Sequence, residues 1–145
     1  MEPRVSMITL GVDDLARSRA FYADLGWTGP EVEETVFVQI GALVLALWDR
    51  HRLAAECGVA SGADGFGSIA LAHNVHDRAD VDAIVAVARA AGATITRTPA
   101  ETFYGGYTGC FTDPDGHVWE IAHNPGFPLA DDGAVTLPDF GDAAT

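Results

Sequence analysis

The hairpin Asp113-Pro114-Asp115-Gly116-His117-Val118-Trp119-Glu120-Ile121 puts one carboxylate in mid-strand. Asp113, Pro114 and Gly116 suit the first, second and following left-handed positions of a type I turn. Past the turn, alternation sends Trp119 and Ile121 to one face and Val118, Glu120 and Ala122 to the other. A glutamate among small side chains either meets water or aims into a cavity. In a cavity, a desolvated Glu120 can move a proton as a general base, and an ionised one can pair with a cationic ligand. A third reading leaves it bonded to a neighbouring hydroxyl or facing water.

The other reactive types offer less. The five histidines, His51, His73, His76, His117 and His123, are scattered. His73 and His76 are three apart and point to opposite faces of a strand. Separate surface or packing roles account for all five. Cys57 and Cys110 form no motif and are expected to be reduced. All eight basic residues are arginine, which excludes Schiff-base chemistry by a lysine amine.

The elements that must position Glu120 fit one domain. A chain of 145 residues with 48% apolar and 20% charged residues is globular in composition. No apolar run approaches the roughly 20 residues of a transmembrane helix. The start, Met1-Glu2-Pro3-Arg4, lacks a basic region before an apolar stretch, so no signal peptide and a cytoplasmic location are expected. The net charge of −13 argues against nucleic-acid and anionic-membrane partners.

The pattern repeats. Residues 5–12 alternate as a strand, with Asp13 and Asp14 as caps for a helix over 15–25. Its apolar stripe is Leu15, Phe21, Tyr22 and Leu25, and Gly26 stops it. Strands follow at 35–40 and 42–48, with room for a short one within 27–33. The second half reads as a strand over 68–75 and a helix capped by Asp77 or Asp80, with an apolar stripe of Val81, Ile84, Val85 and Ala88. Strands at 93–97, 107–111 and 118–122 complete it. A glycine-rich linker over 49–67, with a short helix at 51–56, joins the halves. Residues 124–145 read as an acidic tail, anchored by Phe127, Leu129, Leu137 and Phe140. The expected fold is α+β, with one helix per half against one sheet face.

Two such halves resemble the vicinal oxygen chelate superfamily, which includes glyoxalase I, extradiol dioxygenases and bleomycin-resistance proteins. Residues 8–22, from Ile8 through Asp13-Asp14-Leu15 to Phe21-Tyr22, look like its first strand and helix. Ala90-Ala91-Gly92-Ala93-Thr94-Ile95 looks like the end of its second helix, and residues 113–121 look like its last hairpin. The resemblance covers roughly residues 5–123. It implies two βαβββ modules forming a curved mixed sheet around a cavity, with helices on the outer face. The single domain then spans 4–123, as module one (4–48), the linker (49–67) and module two (68–123).

Family enzymes hold a divalent metal with four side chains. Carried over by resemblance, the first position, usually His, falls on Met7. The second, often Glu, falls on Ala46, and the third, usually His, on Ser68. The fourth, usually Glu, falls on Glu120. A thioether, a methyl and a neutral hydroxyl do not replace imidazole and carboxylate for such an ion. No family metal site and no cofactor are therefore expected.

If these positions share a cavity, alternation adds Thr9 beside Met7, Val44 and Trp48 beside Ala46, Ala70 and Ala72 after Ser68, and Val118 and Ala122 around Glu120. Residues 102–107 form an aromatic, glycine-rich loop suited to the mouth. Trp48, Phe103, Tyr104 and Tyr107 are placed to stack on a planar or cationic ligand. Core or dimer packing explains them equally well.

Two functional readings stand. One is a small-molecule-binding protein that sequesters an aromatic or cationic ligand, through Met7, Thr9, Ala46, Trp48, Ser68, Ala70, Tyr104, Tyr107 and Glu120. The other is a glyoxalase- or dioxygenase-like enzyme, either metal-free with Glu120 as its catalytic base or with a non-standard metal site. The resemblance also implies a homodimer.

Overall fold

A computed structural model describes residues 7–57, 61–62 and 69–135. Among them, β1 (Met7–Val12), α1 (Leu15–Asp24), β2 (Glu31–Val32), β3 (Thr35–Ile40) and β4 (Leu43–Asp49) form the first half. The helix α2 (Arg50–Glu56) follows. The second half is β5 (Ala70–Asn74), α3 (Arg78–Ala90), β6 (Thr94–Glu101), β7 (Tyr107–Thr112) and β8 (Val118–His123).

The repeat is visible in the strand order. One sheet runs β1-β4-β3-β2 and the other β5-β8-β7-β6. In each, the first strand lies parallel to the last and the rest are antiparallel. The fold is α+β, and the two mixed sheets do not close into a barrel.

Aspartates start all three helices among the described residues. Asp14 accepts from the Arg17 amide, Asp77 from the Asp80 amide, and Asp49 from the His51 and Arg52 amides. Asp77 is thus the cap of α3. Asp80 sits in its first turn and Arg89 in its last, both suited to the helix dipole.

One core joins the halves. Leu10, Val12, Val36, Val38, Leu45 and Leu47 enter it from the first sheet, and Phe111, Trp119 and Ile121 from the second. Phe21 and Tyr22 of α1 and Val81, Val85 and Ala88 of α3 fill the space against them. In α1 the buried positions are Ser18, Phe21 and Tyr22, while Leu15 and Leu25 are half-buried. Ser18 is buried because its hydroxyl donates to Asp115 of the other half.

The strand expected over 93–97 continues to Glu101, through Pro99. Its ladder with β7 shifts register between Ile95 and Arg97 and again between Arg97 and Ala100. β6 is an edge strand, so a residue without an N–H is tolerated there. The helix α2 packs on the Gly11 side of β1. A β-carbon at Gly11 would lie 3.0 Å from Arg50 Cβ, so glycine permits the approach. Leu137 and Phe140, expected to anchor the tail, lie outside the described residues. Before them, Leu129 and Val135 form an isolated bridge.

Candidate functional site

Strand register sets which side chains share a face. Glu120 lies opposite Cys110 on one side and Ala72 on the other. Arg97 lies opposite Cys110. Ala72, Glu120, Cys110 and Arg97 therefore form one cross-strand row, on the sheet face turned away from α3. Burial pushes the Cys110 thiol up, the Glu120 charge adds to this, and Arg97 opposes it. Cys110 is thus a protonated thiol rather than a nucleophilic thiolate. Glu120 is half-buried and makes no hydrogen bond or ion pair among the described residues.

The corresponding row of the first sheet is Thr9, Ala46 and Phe37. Ala46 and Glu120 are counterparts in the repeat, as are Thr9 and Ala72, and Met7 and Ala70. Met7 is 47% exposed and Ala46 is buried. Trp48 is half-buried opposite Gly11. Ser68 lies outside the described residues. Met7, Thr9, Ala46 and Trp48 thus share one sheet face, and Ala70, Ala72 and Glu120 share a face of the other. Thr9 also lines a cleft of about 770 Å³ with Arg50, Leu53 and Val118.

The aromatic residues are placed differently from one another. Tyr107 turns toward α3: its hydroxyl donates to Asp82 Oδ1 at 2.9 Å, and Arg78 sits 5.6 Å from its ring centre. This direction was readable from strand parity, because Tyr107 alternates with the core residue Phe111. Tyr104 is 47% exposed and meets Phe103 edge-on, and Phe103 is fully exposed.

Next to this face lies an orphaned group. Thr108 is fully buried on β7, and its Oγ1 has no hydrogen-bond partner among the described residues. Nothing in the sequence signals this, since threonine is an ordinary strand residue.

The two aspartates of the turn do more than shape it. Asp113 Oδ1 accepts from the Asp115 and His117 amides, and its Oδ2 accepts from the Tyr22 hydroxyl at 2.7 Å. His117 Nδ1 also lies 2.7 Å from Oδ2. Burial raises the Asp113 carboxyl, but the bond and charge of His117 outweigh it and hold the group below the usual carboxylate range. Burial, then the Asp113 charge, keep Tyr22 protonated as a donor. Asp115 accepts from the Asp13 amide, from Arg17 and from Ser18. Both carboxylates are spent on joining the halves.

The family metal fails on donor chemistry. Of the four positions, Ala46 supplies no donor atom, Met7 supplies a thioether, Ser68 lies outside the described residues, and Glu120 supplies carboxylate oxygen. A hard or borderline divalent ion needs several oxygen or nitrogen ligands. Among the described residues no three His, Cys, Asp or Glu side chains group as ligands.

Two βαβββ halves, with a lone carboxylate on an open sheet face, define a protein of the glyoxalase-like class. The model of the Glyoxalase/Bleomycin resistance protein/Dioxygenase superfamily matches residues 4–121, and the chain belongs to this family. A glyoxalase-related enzyme from Fulvimarina pelagi is 40% identical, covering 93% of this chain and 98% of its own, with a TM-score of 0.86. A glyoxalase/bleomycin resistance protein/dioxygenase family enzyme from Burkholderia phytofirmans is 25% identical over 81% of this chain and 96% of its own, with a TM-score of 0.71. A lactoylglutathione lyase from Agrobacterium tumefaciens, at 22% identity, 84% and 94% coverage and a TM-score of 0.62, shares the fold. A comparison with curated proteins finds no match. No helix among the described residues is long and apolar enough to cross a membrane.

Proposed function

We propose that this protein binds a small organic molecule, aromatic or cationic, on the open sheet faces, with Glu120 as its polar anchor. The observation that carries this is the unpartnered, half-buried Glu120 carboxylate in a row of small side chains. A carboxylate in partial desolvation gains from a cation or donor supplied by a ligand. Ala70 and Ala72, exposed on β5, are small enough to admit one beside it. The edge positions of β1 and β5 in their sheets support a homodimer that closes these faces. Solution mass at micromolar concentration tests it, and a strict monomer excludes it.

A thermal-shift screen tests the binding. Aromatic, cationic and thiol-conjugate molecules are compared with divalent metals. A ligand raises the melting temperature in a concentration-dependent way. Glu120→Gln is expected to remove the shift from cations and keep it for neutral ligands. No shift from any class would overturn the reading.

A second reading, Glu120 as a general base, is favoured by the 40% identity to a glyoxalase-related enzyme from Fulvimarina pelagi. In that case Glu120→Gln lowers turnover by about two orders of magnitude or more while neutral-ligand binding persists.

A further inference from the structure

The other side of the second sheet holds a pocket that the Glu120 face does not touch. It lies between the end of α1, the β5 residue His73 and the outer part of α3, is open to solvent on one side, and has a volume of about 230 Å³. Its walls are largely aromatic: Tyr22, Trp27, Phe111 and Trp119. Tyr22 and Trp27 stack with 22° between their planes, and Trp27 meets Trp119 edge-on at 5.4 Å. Ile84 closes the α3 side.

The polar groups in the wall are few, and most are already used. The Tyr22 hydroxyl donates to Asp113, and the Trp119 indole N–H donates to Tyr22. His73 makes no hydrogen bond or ion pair among the described residues. Burial lowers its affinity for a proton, so it presents a neutral imidazole with one donor and one acceptor nitrogen. Among the described residues, no charged side chain lines the pocket. His73 also lines the neighbouring groove along β5, so it stands at the pocket's mouth.

We propose that this pocket is a second ligand site, which takes a neutral aromatic ring bearing one hydrogen-bonding group directed at His73, as in a phenol. The volume sets the size. An apolar cavity of about 150 Å³ holds benzene, so this one accepts a substituted ring or a fused pair of rings. Edge and face contacts with the surrounding rings favour a planar aromatic over an aliphatic chain of equal size. The absence of a cation in the wall disfavours carboxylates and phosphates, as does the net charge of −13. The site is independent of Glu120, so either proposal can fail alone.

Fluorine NMR of the full chain titrated with 4-fluorophenol and with 4-fluorotoluene tests it. Both probes are expected to bind saturably, the phenol more tightly. Ala83→Trp, which fills the rim from the exposed face of α3, removes both signals. His73→Ala weakens the phenol by about three- to tenfold, the value of one hydrogen bond, and leaves the toluene within about twofold. Glu120→Gln changes neither. Absence of saturation with both probes would overturn the proposal. So would loss of binding in Glu120→Gln with retention in Ala83→Trp. Dissociation of a wild-type dimer by Ala83→Trp would instead assign the pocket to a subunit contact.

Discussion

The Tyr22 hydroxyl donates to Asp113 Oδ2 at 2.7 Å, across 91 residues of sequence. Tyr22 belongs to the helix of the first half and Asp113 to the turn of the second. The same hydroxyl accepts from the Trp119 indole at 3.2 Å. One oxygen thus ties a helix, a turn and a strand together inside the shared core. Next to it, Asp115 holds the start of α1 through the Asp13 amide, Arg17 and Ser18.

Removing that oxygen leaves a carboxylate short of a donor and a buried indole N–H without its acceptor. Tyr22→Phe is expected to cost about 1.5–3 kcal/mol, the range for a hydrogen bond to a charged group. Urea unfolding at neutral pH measures it. A loss below about 0.5 kcal/mol would mean that the network is not carrying the junction.

Asp113 also sets an acid limit. Its carboxyl is held below the range it has in the unfolded chain, about 3.9. The unfolded state therefore takes up the proton first as pH falls. The stabilisation is fully present above about pH 4 and is lost as pH drops further, through the folded value. Asp113→Asn should flatten this part of the stability profile, followed by urea midpoints between about pH 5 and 2. An unchanged slope would place the acid sensitivity elsewhere.

The Thr108 hydroxyl is buried without a partner, an arrangement that costs about 1–3 kcal/mol. Thr108→Val keeps the shape and removes the polar group. It is expected to raise stability by about 1 kcal/mol, seen as a higher denaturant midpoint at unchanged slope. A clear destabilisation would show that the hydroxyl has a partner in solution.

The donor set predicts the metal content. Protein purified without chelators should carry well under one equivalent of iron, nickel, zinc or manganese. Near-stoichiometric metal by elemental analysis would refute the reading of Met7, Ala46 and Glu120. The double variant Met7→His with Ala46→Glu should gain measurable affinity for a divalent ion, since it restores two of the donors that the family resemblance places at these positions. Calorimetric titration with nickel or zinc reads that gain.

Local chemistry accounts for what was readable from the chain alone. Asp14 and Asp77 cap the helices that follow them, and Gly116, at a φ of 89°, closes the turn begun by Asp113. Each involves partners within a few residues, so side-chain type and spacing suffice. Alternation likewise assigned Trp119 and Ile121 to the core and Glu120 to the opposite face. The same rule, applied to Tyr107 and Phe111, points Tyr107 at α3.

The tertiary structure decided the rest. Asp113 and Asp115 read as turn residues, yet their carboxylates reach Tyr22, Arg17 and Ser18 more than 90 positions away. Which strands lie at edges let β6 run through Pro99. Which rings surround His73 turned a scattered histidine into the polar mouth of an aromatic pocket. The sequence by itself determined the elements and their repeat, because those follow from residue identity and short-range periodicity. Only the folded chain decided what each polar group faces, because that depends on which distant segments exclude water from it.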